Sequence, residues 1–305
     1  MPRMKHAISA RSIGWLGFTA LLLMLGLGLF FYRPPEGLID PPSGAPSFDL
    51  QAILPVEVED AAEIEQAARH AIEQRATTLV IDVATTDDTL FAGAGGPLLD
   101  SFIEAVDALP DTAPDDAQEI PVRYAFRASV EPDMPDREVE EFANRLIAVI
   151  QAQGIEERTI VQGFDWRLLK AVHAIMPEIA RSYMTIETAG RDTVGRGADA
   201  PSPWLAGLDV NRFDASIPRT IRAAEAGEAG GPEEALALPP WQVIWAPFYR
   251  DLRAPSIAEA HSIGLKVVPW PVDEADVMRA LIESGVDGLA TTHPEAARAV
   301  LDALQ

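Results

Sequence analysis

The chain has 305 residues, 48% of them apolar, which is ample for a large core and excludes a disordered polypeptide. Cysteine is absent, so disulfides, thiolate metal sites and a cysteine nucleophile are excluded, and the five histidines (His6, His70, His173, His261, His293) are too scattered for a local metal motif. The formal charge is −23; residues 1–33 hold four bases and no acid, leaving 20 basic residues against 47 acidic ones, a balance that repels phosphate backbones and excludes nucleic acid as a partner.

In chain order, residues 1–12 carry Arg3, Lys5 and Arg11 ahead of Ile13–Tyr32, a run of 20 uncharged and mostly apolar residues. At 1.5 Å per residue such a run spans a hydrocarbon core of ~30 Å. Trp15 and Tyr32 stand near its ends, where amphipathic rings favour the interface, and Arg33 follows. The run is longer than the ~7–15 residues of a signal core, and no Ala-x-Ala site follows it. It therefore predicts an uncleaved single-pass anchor over 13–32. The positive flank 1–12 stays cytoplasmic and everything after residue 33 faces the other side, which in a bacterium is the periplasmic side of the inner membrane. Residues 33–47 are rich in Pro and Gly and read as a stalk.

From Phe48 onward, short apolar runs alternate with amphipathic helical stripes. The predicted strands are 48–53, 78–83, 122–128, 158–163, 181–186, 242–247, 266–271 and 286–291. Several are apolar on both faces, as parallel strands covered by helices are. Between them, Asp165 precedes a stripe of Leu168, Leu169, Val172 and Met176 as an N-cap. Gly154 and Gly285 stop two further stripes, and a last helix over 294–304 opens with Pro294. Eight strand–helix units over 48–305 predict a single (β/α)8 TIM-type barrel. An open doubly wound sheet is the rival, although no Gly-rich phosphate fingerprint follows the first strand. Two segments break the alternation: an acidic loop at 109–120, and an excursion over 187–240 with one helix near 216–227 and a Gly-rich stretch at 227–231. Long barrel loops commonly cover the active-site mouth.

The C-terminal half resembles the glycerophosphodiester phosphodiesterase family through TIVQGFDWRLLKAVHAIMPEIA (159–180), PSPWLAGLD (201–209), IWAPFYRDL (244–252) and AEAHSIGLKVVPWPVDEADVMRALIESGVDGLATTHPE (258–295). The resemblance implies the barrel fold and metal-assisted hydrolysis of glycerophosphodiesters. In the family the first strand carries His-Arg-Gly, followed by Glu-Asn. Glu-Leu-Asp lies on the second strand, then His-Asp, and Glu-x-Lys on the third. The carboxylates hold a divalent cation that neutralises developing charge, and the histidines move protons at the phosphate.

Laid against that pattern without a gap, this chain places Ile53-Leu54-Pro55 at His-Arg-Gly and Ala62-Glu63 at Glu-Asn. Val80 replaces the metal-binding Glu, Asp82 keeps the Asp, Gly93-Ala94-Gly95-Gly96 stands at the His-Asp region, and Arg127 replaces the last Glu. A small shift of frame brings in a carboxylate from Glu57, Glu59, Asp60 or Glu63, but no shift supplies a histidine.

The leading expectation is thus a membrane-anchored barrel that has lost catalysis and acts as a binding or scaffold module, with no cofactor and no metal. A small anionic or glycerophospho ligand is the expected partner. The alternative is a divergent phosphoric diester hydrolase of lipid metabolism, in which Asp82 helps to hold Mg2+ or Ca2+; an envelope interaction protein using its acidic face is a third. No catalytic residue is marked. The candidate ligand-binding residues are Asp82, Arg127, Gln162, Trp245 and Trp270. Arg127 either binds an anion by its planar fork or pairs with Asp82. Trp245 and Trp270 either wall a headgroup pocket or pack in the barrel. His293 is the one histidine predicted near the mouth.

Overall fold

The structure is a computed structural model that describes residues 48–109, 121–187, 191–226 and 242–304. All of them lie within the second of the chain's two compact units, Pro41–Gln305. The expected anchor over 13–32, the stalk 33–47, residues 110–120 of the acidic loop and the Gly-rich 227–231 lie outside the described residues. Among the described residues no helix is long and apolar enough to cross a membrane.

All eight predicted strands are present: β1 (Asp49–Ile53), β2 (Thr78–Thr86), β4 (Arg123–Ala128), β5 (Thr159–Gly163), β6 (Ala180–Thr185), β7 (Val243–Pro247), β8 (Lys266–Val267) and β9 (Gly288–Thr291). They pair in parallel in the order β8-β7-β6-β5-β4-β2-β1-β9. Across the remaining seam, Asp287 N–H donates to Val267 O (2.9 Å), Ala290 N–H to Pro269 O (3.0 Å) and Val272 N–H to Ala290 O (2.8 Å). The result is a nearly closed parallel barrel, and the open-sheet rival is set aside.

Strand alternation divides the core in two. Val80, Ala125, Ile160, Ala180, Ile244 and Val268 point inward and, with Ile53, plug the lumen. Their strand neighbours Leu79, Ile81, Tyr124, Phe126, Val161 and Val243 point outward and pack under the helices. A parallel strand buried on both faces needs this double apolar register. The helices between strands are α1 (Ala61–Glu73), α2 (Leu99–Asp107), α3 (Asp136–Gln153), α4 (Trp166–Ile175), α5 (Ile217–Ala226), α6 (Ala254–Ser262), α7 (Ala275–Glu283) and α8 (Pro294–Leu304). Their expected ends are built as the sequence suggests. Asp165 accepts the Arg167 N–H (2.9 Å) to cap α4, and Gly154 ends α3 at φ +63°. At the entry to α1, Glu63 N–H donates to Asp60 while Glu63 Oε2 accepts the Glu59 N–H.

One element was not expected. β2 runs on to Thr86 and folds back through Asp87 and Asp88, both at positive φ, into the antiparallel strand β3 (Thr89–Ala92). Two consecutive positive-φ residues make the tight hairpin turn. The glycine-rich segment that follows lies against the loop after β1: Ala94 N–H donates to Val56 O (2.8 Å) and Val58 N–H to Ala94 O (3.0 Å). A Cβ on Gly95 would stand 2.6 Å from Val58 O, which is why a side chain is absent there.

Candidate functional site

The C-terminal ends of the strands define the mouth, where barrel enzymes place their chemistry. Four polar residues on adjacent strands share one register level and point inward: Asp82 on β2, Arg127 on β4, Gln162 on β5 and Ser182 on β6. Arg127 closes on Asp82 as a fork, Nε to Oδ1 at 2.7 Å and Nη2 to Oδ2 at 2.5 Å. Their side chains are only 16% and 10% exposed. Both carboxylate oxygens are thus engaged by one guanidinium, so of the two readings open for Arg127 the structure contains the ion pair. Gln162 is buried beside it, and the buried Ser182 Oγ has no hydrogen-bond partner among the described residues.

The opposite end of the lumen carries a second polar group. Asp49 Oδ1 accepts from Thr78 (2.6 Å) and Thr77 (2.8 Å), Oδ2 accepts from Gln51 (2.8 Å), and Arg123 stands 3.5 Å away. Asp49 begins β1, so this cluster lies at the N-terminal face, where a polar network holds the fold rather than a substrate.

The rim above the Asp82–Arg127 pair is aromatic. Phe164 follows Gln162 by two residues and therefore continues the same face of its chain. Trp270 packs edge-on against it at 5.3 Å between ring centres and donates its indole N–H to Ala246 O (2.9 Å). Phe248 lies 5.9 Å from Trp270, and Trp204, from the segment after β6, meets Phe164 at 6.2 Å. The Arg191 guanidinium lies over both Phe164 (5.1 Å) and Trp204 (4.5 Å) and pairs with Glu131 at 2.9 Å.

Four of the expected ligand-binding residues, Asp82, Arg127, Gln162 and Trp270, stand at the strand ends of this mouth. Trp245 does not. Its neighbours Ile244 and Ala246 take the inward positions, and Trp245 packs in the outer layer with its indole N–H on Thr185 Oγ1 (2.9 Å). There it lines a separate cleft of about 280 Å3 with Glu187, Arg196, Arg219 and Asp251. Phe164, Phe248, Trp204, Arg191 and Glu131 were not singled out from the sequence. The two-residue step from Gln162 was a usable signal for Phe164; Arg191 and Trp204 come from the irregular excursion, which carries no period to read.

A divalent cation gathers several oxygens. Among the described residues no group of three or more His, Cys, Asp or Glu side chains could hold one. Val80 sits in the lumen plug two residues below Asp82. Of the carboxylates near β1, Asp60 and Glu63 cap α1 while Glu57 and Glu59 are exposed. His293 is half-exposed at the rim and lies 3.4 Å from Glu295. The described residues at the mouth do not fit the metal that the family resemblance implies.

The profile of the glycerophosphoryl diester phosphodiesterase family matches residues 124–296. The chain belongs to this family. Among solved structures, a putative glycerophosphoryl diester phosphodiesterase from Silicibacter pomeroyi is 18% identical with a TM-score of 0.57, covering 86% of this chain and 95% of its own. A glycerophosphodiester phosphodiesterase from Parabacteroides distasonis is 13% identical at a TM-score of 0.54, covering 85% and 100%. A putative family enzyme from Galdieria sulphuraria is 14% identical at 0.53, covering 83% and 97%. At these identities the likeness is one of fold. No curated protein matches the sequence. Within the glycerophosphoryl diester phosphodiesterase family, then, this member keeps the barrel and carries an Arg–Asp fork at the mouth.

Proposed function

We propose that this family member does not hydrolyse phosphodiesters and instead holds a small glycerophospho-type ligand at the barrel mouth. The same proposal has the chain anchored in an inner membrane through residues 13–32, with the barrel on the periplasmic side. The observation that carries the loss of catalysis is the Arg127 fork on Asp82. A phosphodiester needs a cation to neutralise developing charge and a proton for the leaving alkoxide. Here the one retained carboxylate is saturated by a side-chain cation, and below it Val80 and its β1 partner Ile53 are apolar. What the lumen does offer a ligand is hydrogen bonding: buried Gln162 and the unpartnered Ser182 Oγ, under an aromatic rim.

The test is hydrolysis of glycerophosphocholine and a chromogenic phosphodiester, with and without Mg2+ or Ca2+. The expected result is no turnover above buffer in protein shown to be folded by circular dichroism. Turnover that disappears with chelator and also with Asp82→Ala would overturn the reading and make the chain a divergent hydrolase.

A further inference from the structure

Arg191 occupies a position that is chemically specific. Its guanidinium is stacked over two aromatic rings set nearly perpendicular to each other, Phe164 and Trp204, with a carboxylate, Glu131, in contact. Aromatic faces attract cations through their quadrupole, most strongly with Trp, and a carboxylate beside them adds charge complementarity. The rings are fixed from behind. Trp204 is buried, and Phe164 is braced by Trp270, itself tied to Ala246 O. The occupant is the least fixed part, since the Arg191 side chain is 45% exposed and Glu131 55%. The exposed ion pair contributes little, so what holds Arg191 in place is mainly its contact with the two rings, the same contact a competing cation would make.

We infer that Phe164, Trp204 and Glu131 form a cation-recognition slot at the rim of the barrel, filled by Arg191 when no ligand is bound, and that its ligand carries a quaternary ammonium group. A trimethylammonium head suits the slot because it is weakly hydrated, spreads its charge over methyl groups and contacts two ring faces at once. The slot sits two residues above Gln162 on the same strand line, about 7 Å toward solvent. A ligand with a polar body in the lumen and a cationic head at the rim therefore spans both. The inference rests on the mouth being the ligand-binding face, as proposed above, and not on the absence of hydrolysis.

The test is titration of the full chain with tetramethylammonium and with choline, followed by tryptophan fluorescence and calorimetry. 3,3-Dimethylbutanol, the uncharged isostere of choline, is run as the control. Arg191→Ala is expected to bind choline roughly tenfold more tightly than the parent chain, because the internal competitor is gone. The isostere is expected not to bind. In the Arg191→Ala background, Trp204→Leu is expected to abolish binding. Glu131→Gln, which leaves the aromatic packing untouched, is expected to weaken it. No gain for Arg191→Ala over the parent chain, or equal binding of the isostere, overturns the slot. If choline fails while glycerol 3-phosphate still binds, the slot alone is wrong; if both fail, the mouth-binding reading falls with it. Free glycerophosphocholine and phosphatidylcholine vesicles, compared side by side, separate a soluble ligand from a lipid headgroup.

Discussion

A guanidinium placed across both oxygens of Asp82 changes what that carboxylate can do, and it also commits the pair energetically. The two side chains are almost wholly withdrawn from water, so removing one leaves the other uncompensated. Arg127→Met is therefore expected to lower stability by about 3–5 kcal/mol, whereas the double variant Asp82→Leu/Arg127→Met recovers most of the loss. Urea unfolding of the two variants checks this; equal losses would show that the charges are not coupled. The pairing was legible in part. The sequence reading puts Asp82 and Arg127 at the ends of the second and third predicted strands, and the observed register pairs them directly. Trp245 was misplaced for a physical reason. In a strand buried on both faces, apolar residues occupy both parities, so hydrophobicity alone does not tell lumen from outer layer.

β6, α4 and α5 meet at a buried polar group. Arg181, fully buried on β6, reaches Glu225 of α5 through Nε at 2.9 Å and Nη2 at 2.7 Å, and Tyr183 donates to the same carboxylate at 2.5 Å. Burial alone pushes the Glu225 carboxyl up, but Arg181 and Tyr183 together outweigh it and hold it below the ordinary range. His173 of α4 faces this group, its Nδ1 3.7 Å from Glu225 and without a hydrogen bond among the described residues. Burial, and then the positive charge of Arg181, lower its pKa, with Glu225 opposing. A histidine whose folded value lies below its unfolded one contributes stability at higher pH, and this is lost as pH falls through the folded value. Unfolding midpoints measured from pH 8 down to pH 5 should decline below the ordinary histidine value of about 6.5. The decline should flatten in His173→Gln; an unchanged slope would assign it to other groups. Sequence reading found these three elements but not their junction, because a lone Arg within an apolar strand names no partner. It also missed β3, since an Asp87-Asp88 turn lacks the Asn-Gly or Asp-Gly signature of a tight hairpin.

At the scale of the whole barrel, the fold was readable because the eight-fold alternation of strand and helix is a long-range repeat that single-residue errors do not erase. What the repeat leaves open is how the ring is joined, and that depends on contacts between the first and last strands. β1 and β9 approach so closely that a Cβ built on Gly288 would stand 2.3 Å from Asp49 O and 2.8 Å from Asp49 Cβ. The nearest obstacle belongs to β1, across this β1–β9 seam, and is backbone, which cannot rotate away as a side chain does. Asp49 is also the centre of the polar group that fills the bottom of the lumen, so a shift there disturbs its bonds to Thr77, Thr78 and Gln51. Gly154 provides the contrast: at φ +63° it is left-handed, yet nothing lies within 4 Å of its Cβ position. Gly154→Ala should cost about 1–2 kcal/mol, the local conformational penalty alone. Gly288→Ala should cost more, because it adds steric overlap of about 1–3 kcal/mol or beyond to a seam that must open to relieve it. Thermal and urea unfolding of the two variants decide the point, and a Gly288→Ala protein no less stable than Gly154→Ala would mean that the ring is not held at this seam.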